Sequence, residues 1–274
     1  KGSLGGYSAF RNGVTAVANT WQVGNDSTDF TFEGIVTCID NFNKMGKSRM
    51  TSKGTWDNTG SVTISAGTLM VDDGSLGTGA LTVARNASLS GVGTLKNSAV
   101  TVSGNIQPGK SAIAYTGTID FGGQNLTINS TGTYKVCARM CTTSRMRGCT
   151  SLSNINKLTF SGTLEVVLSE YQTLSAGDSI RIFDCKLFSG TPKFKLPRKF
   201  IWDTSRIREG LLFIVGEATL EDVNGDGIVD TQDVLKVYEQ MQMAEYDEAA
   251  DVNGDGVIDT QDVLRIYDAM RAGS

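Results

Sequence analysis

From about residue 7 to residue 215 the chain alternates apolar and small polar residues in short runs, each closed by Gly, Asn or Asp. Examples are GTLMVDDG (67–74), GALTVARN (79–86) and ASLSGVG (87–93). A period of two with frequent turn residues predicts short β-strands. Several apolar positions recur about 20 residues apart: Leu69 with Leu89, Leu81 with Val100, and Ile106 with Leu126. Three strands and three turns fit in such an interval, so the pattern predicts a parallel β-helix, or solenoid, with stacked inward aliphatic side chains. A β-sandwich is the alternative. Beyond residue 154 the runs KLTFSGTLEVVLSE, SIRIFDCKLFSG and LLFIVG are longer and more apolar. They suit a β cap, which a solenoid needs to cover its last strand edges.

Near the C-terminus the period changes to that of a helix. Val229, Val234, Val237 and Met241 fall on one face, as do Ile258, Val263, Ile266 and Met270, and both sets predict core positions. The expected organisation is β-repeats at 1–154, a β cap at 155–216 and a small helical module at 217–274. Charge divides at the last boundary: residues 217–274 hold 15 acidic and 3 basic side chains, a net of −12, within a chain of net −4. The preceding residues therefore carry +8.

The helical module is one sequence written twice, DVNGDGIVDTQDVLKVYEQM from Asp222 and DVNGDGVIDTQDVLRIYDAM from Asp251. Counted from Asp222, oxygen donors stand at positions 1, 3, 5, 9 and 12 (Asp222, Asn224, Asp226, Asp230, Asp233). A backbone carbonyl is available at position 7 (Ile228), with Gly227 at position 6. The second copy repeats the order at Asp251, Asn253, Asp255, Val257, Asp259 and Asp262, with Gly256 at the turn. This is the loop pattern of an EF-hand calcium site, and it predicts two calcium ions. The competing account is an acidic turn that merely solvates its loop. Position 12 is Asp where an EF-hand has Glu, and no amphipathic helix precedes the loop at Asp222, since FIVGEATLE reads as a strand and a connector. In so small a module Leu235, Tyr238, Leu264 and Tyr267 have little core left to cover them, which marks them as interface anchors.

Other chemistry is narrowed by composition. Histidine is absent, which removes imidazole-based catalysis and every zinc site that needs it. Five cysteines show no C-x-x-C pair; Cys141 and Cys149 bracket a short basic loop and can close a disulfide or stay free. No apolar run approaches the roughly 18 to 20 residues of a membrane helix, so no membrane insertion is expected. The basic run KFKLPRKF (193–200) reads as a solvated strand or loop face, and no nucleic-acid partner is expected. Carboxylates such as Asp72 and Asp73 are not marked by spacing as a glycosidase pair. The chain reads as a non-enzyme, part of a longer secreted protein.

Two resemblances extend this reading. Residues 43–71 and 79–109 resemble autotransporter-associated and passenger-associated β-strand repeats, families of secreted or surface-displayed bacterial proteins that form right-handed β-helices. Residues 217–270, with the two DVNGDG loops and the shared TQDVL segment, closely resemble the type I dockerin. That resemblance implies one calcium per copy, helices packed antiparallel, and a cohesin domain on a scaffold or surface protein as partner. It places recognition at Thr231, Gln232, Tyr238 and Glu239, and again at Thr260, Gln261, Tyr267 and Asp268, beside Leu235 and Leu264. Because TQDVL occurs twice, two bound orientations related by a half-turn are expected. The function implied is adhesion or multiprotein assembly, with a glycan as a further partner left open. The alternative is the C-terminal portion of a polysaccharide-degrading enzyme targeted by its dockerin.

Overall fold

A computed structural model describes residues 20–24, 27–37, 39–110, 117–139, 148–168, 174–243 and 245–272. It is mainly β, with two α-helices near the C-terminus. The chain divides into two compact units, 1–197 with 202–215, and 198–201 with 216–274.

In the first unit two long parallel ladders run through the described residues. One joins Phe30–Phe32, Arg49–Ser52, Gly67–Asp72, Ala87–Thr94, Asn105–Pro108, Thr133–Arg139, Thr163–Leu168 and Lys193–Lys195. The other joins Thr20–Val23, Asn41–Lys44, Val62–Ile64, Leu81–Val83, Ala99–Val102, Asn125–Ile128, Gly148–Phe160 and Phe183–Ser189. Successive strands of one ladder are separated by strands of the other, so the chain alternates between the two as it advances. The long strand Gly148–Phe160 carries the second ladder onward, with a register shift between Leu152 and Ile155 where Asn154 adopts φ of +53°.

Register turns sequence alternation into a core. Met50, Leu69, Leu89, Ile106, Tyr134 and Leu164 face one another along the first ladder, and none exceeds 1% exposure. Val62, Leu81, Val100, Leu126 and Leu158 form a matching buried row along the second. Each such side chain contributes roughly 1.5–3 kcal/mol by leaving water. The intervening residues point outward, as the pleat requires. Leu69 pairs with Leu89 and Leu81 with Val100, as the 20-residue recurrence predicts. The expected pairing of Ile106 with Leu126 is corrected: Ile106 faces Leu89 and Tyr134, while Leu126 faces Val100 and Leu158.

Polar groups inside this unit are tied to backbone. Lys44 is fully buried, and its Nζ donates to the carbonyls of Met45, Gly46 and Ala66 at 2.7, 3.1 and 3.3 Å. Burial lowers its pKa, with Asp29 acting in the opposite sense. Of the pair considered for a disulfide, Cys141 lies outside the described residues and Cys149 is a free thiol. The Cys149 Sγ donates to the carbonyl of Arg181 at 2.8 Å, and burial pushes the thiol up to about 12. The nucleophile is the thiolate, so at pH 8 alkylation of Cys149 by iodoacetamide is expected to be about 100-fold slower in the folded chain than in urea. Peptide mapping by mass spectrometry checks this; equal rates would show the thiol to be accessible and ordinary.

Candidate functional site

The second unit is built around two short helices, α1 (Thr231–Met241) and α2 (Thr260–Ala272). Each begins at the end of an acidic loop whose side chains bond their own backbone. Asp222 accepts from the N–H groups of Gly225, Asp226 and Gly227 at 2.8, 3.1 and 2.8 Å. Asp251 does the same for Gly254, Asp255 and Gly256 at 2.8, 3.2 and 2.9 Å. Gly227 and Gly256 both adopt φ of +88°, the left-handed conformation that the sharp turn at position 6 demands. Two loops with matching bonds and dihedrals follow from a duplicated sequence folding the same way twice.

Positions 9 and 12 also start the helices. Asp230 accepts from the N–H of Gln232 at 2.7 Å, while Asp233 accepts from the N–H of Asp230 at 2.9 Å, a reciprocal capping box. Asp259, Gln261 and Asp262 repeat the arrangement. Asp233 is fully buried and takes two further N–H bonds, from Val223 at 2.8 Å and Asn224 at 3.0 Å. Sequence reasoning assigned these aspartates as ligands and missed the caps, although D-T-Q-D before an apolar run carries that signal.

The core beneath the loops is small. Val234, Val237, Val263 and Ile266 are buried with Val223, Ala250 and Val252, and Val229, Ile258 and Met270 pack against them. Met241, expected among them, is instead 38% exposed, because it is the last residue of α1. Arg265 of α2 reaches Glu221 beside the first loop at 3.3 Å. Arg198, which belongs to this unit, donates to the carbonyls of Glu248 and Ala249, the latter at 3.0 Å. That docking was not legible in the KFKLPRKF run, whose Lys193–Lys195 strand is exposed as expected.

Do these residues fit a hard cation? Among the described residues no three acidic side chains already converge as a metal cluster. Each loop nevertheless presents four carboxylates, one amide oxygen and a position-7 backbone carbonyl within twelve residues. None of the eight loop aspartates forms an ion pair with Lys or Arg among the described residues, which leaves their charge without a counter-ion. Burial by itself would raise the Asp251 carboxyl, but the Tyr246 hydroxyl and the N–H groups of Gly256, Gly254 and Asp255 outweigh it and hold its pKa below the ordinary aspartate range. An all-oxygen, highly anionic donor set fits calcium. The residues that would hold it are Asp222, Asn224, Asp226, Ile228, Asp230 and Asp233, and Asp251, Asn253, Asp255, Val257, Asp259 and Asp262. The ion would neutralise the loops and supply no reaction chemistry.

The outer helix faces carry the other predicted residues. Leu235 and Leu264 are 61% and 60% exposed, Tyr238 and Tyr267 41% and 42%. Thr231, Gln232, Glu239, Thr260, Gln261 and Asp268 are also exposed, so each helix presents Thr, Gln, Leu, Tyr and an acidic residue in the same order, Glu239 in one and Asp268 in the other.

Residues 220–270 match the family model of the dockerin type I domain. No curated protein matches the chain. Dockerins of this type bind calcium and dock on cohesin domains. Among the described residues no helix is long and apolar enough to cross a membrane.

Proposed function

We propose that this chain is a non-catalytic β-solenoid, secreted or displayed on a bacterial surface, which its dockerin ties to a cohesin domain for adhesion or assembly. One calcium in each loop would order α1 and α2, and the parallel ladders, offset by rungs of about 20 residues in the first half, would form a right-handed coil. The observation that carries the reading is the duplicated exposed face. Two helices held by acidic loops each offer a Leu–Tyr pair that no small core covers, and aromatic and aliphatic anchors of this kind supply most of an interface's energy.

Because either face can dock, single-copy changes are expected to cost little. With a cohesin from the same source and calcium present, Leu235→Ala/Tyr238→Ala and Leu264→Ala/Tyr267→Ala should each weaken binding by about twofold. The combined four-residue variant should lose about 100-fold. Titration calorimetry measures all three. If neither the intact chain nor any variant binds cohesin in calcium, the docking role is wrong; if one pair alone abolishes binding, the two faces are not equivalent.

A further inference from the structure

We propose that the first unit carries a binding groove for an extended anionic polysaccharide on the outer face of its first ladder. The groove has a volume of about 290 Å³ and is lined by outward residues of six parallel strands, from Arg49–Ser52 to Thr163–Leu168. Along its floor Thr68, Ser88, Asn105 and Thr133 stand in register on consecutive strands. Hydroxyl and amide groups therefore repeat every ~4.8 Å across the ladder. That interval is close to the length of one pyranose unit, so each strand can offer a hydrogen-bonding group to each successive sugar of a chain laid across the strands.

Charge selects the class of polymer. Arg49 stands at one end and Lys135 four strands further on, about 19 Å away at the usual strand spacing. Neither cation forms an ion pair among the described residues. The other charged groups of the groove are already neutralised: Glu165 by Lys195 at 3.2 Å, and Lys110 by Asp72 and by Asp73, the latter at 2.9 Å. Arg49 and Lys135, neither of them ion-paired although Glu165 stands opposite Lys135 in register, flank a row of neutral polar side chains and suit a polymer with carboxylates along its length. No aromatic ring lines the groove. Stacking on a sugar face or on a nucleobase is therefore not offered, which separates this surface from sites for neutral glycans and single-stranded nucleic acids.

The test uses the full chain and a soluble oligogalacturonate long enough to cross five strands, with a neutral xylo-oligosaccharide and single-stranded DNA as comparison probes. Titration calorimetry is expected to show binding to the uronate and none to the xylo-oligosaccharide. The Arg49→Gln/Lys135→Gln variant should bind it at least about tenfold more weakly. Asn105→Ala, which removes a mid-groove amide without touching charge, should weaken binding by a smaller factor, and unchanged melting curves establish that both variants fold. Absence of uronate binding, or binding that neither variant alters, would overturn the proposal. Tighter binding to DNA, lost in the same double variant, would overturn the polymer class. Cohesin binding by these variants should be unchanged, so failure here is distinguishable from failure of the docking role.

Discussion

Chelation of calcium is expected to unfold the dockerin segment and leave the β unit intact. Among the described residues of the module seven apolar side chains are buried together, Val223, Val234, Val237, Ala250, Val252, Val263 and Ile266, which is a small core for its length. Against it stand eight loop aspartates within a segment of net −12, none with a cationic side-chain partner among the described residues. Backbone N–H bonds and helix caps satisfy the carboxylate oxygens locally but do not cancel their mutual repulsion. A ligand at a thousand times its dissociation constant stabilises the folded state by about 4 kcal/mol, comparable with the whole stability of a domain this size. Far-ultraviolet dichroism of the full chain should show a helical transition that shifts down by tens of degrees in chelator, separate from a β transition that does not move. Asp233→Ala/Asp262→Ala should mimic chelation, since each buried carboxylate also caps its helix and anchors its loop. The lowered Asp251 pKa adds an acid limb: its contribution is present above the unfolded-state aspartate pKa and is lost as pH falls through the folded value. A helical transition indifferent to chelator would remove calcium from the account.

How much of this was readable beforehand depends on how local the causes are. The loop pattern and the helix faces were legible because their acidic and turning residues lie within twelve positions and occur twice, whereas the caps that the same aspartates form were missed. Val223 and Val252 were missed although they share position 2 of the two copies, because attention to helical periodicity stops where the loop begins. Met241 and Met270 hold equivalent positions but differ in fate, since α1 ends at Met241 and α2 continues past Met270 to Ala272. In the β unit the alternation revealed strands, and the 20-residue recurrence revealed the first pairings. It then failed because the intervals between paired strands change length. Leu69 to Leu89 spans 20 residues, Leu89 to Ile106 spans 17, Ile106 to Tyr134 spans 28 and Tyr134 to Leu164 spans 30. Turns absorb insertions at little free-energy cost, so register is kept in space while the period is lost along the chain. Lys44 was invisible for a related reason: its three carbonyl partners lie in two turns about 20 residues apart and become neighbours only when the parallel strands pair.

The β unit itself is expected to be most sensitive at Gly91. The strand Ala87–Thr94 serves two neighbours in succession. Its first residues pair with Gly67–Asp72 and Asn105–Pro108, and its last two, Gly93 and Thr94, pair with Gly117–Asp120. Between them the backbone turns a corner at Gly91, with φ of +109°, and exchanges hydrogen bonds with Gly109 at 2.9 and 2.7 Å. A Cβ placed there would meet the carbonyl oxygen of Val71 at 1.8 Å, a backbone atom held in the adjacent strand that cannot swing aside. Substitution therefore combines an unfavourable dihedral with displacement of a central ladder. Gly91→Ala should destabilise the unit by about 3 kcal/mol or more, read as a lower urea midpoint for the β transition with the helical transition unmoved. Ser88→Ala, three residues earlier on the outward face of the same strand, should change that midpoint by no more than about 0.5 kcal/mol. Equal effects at the two positions would mean that the corner yields to a side chain, and that the stacked rows of Leu, Val and Ile hold the rungs together without needing this close approach of backbones.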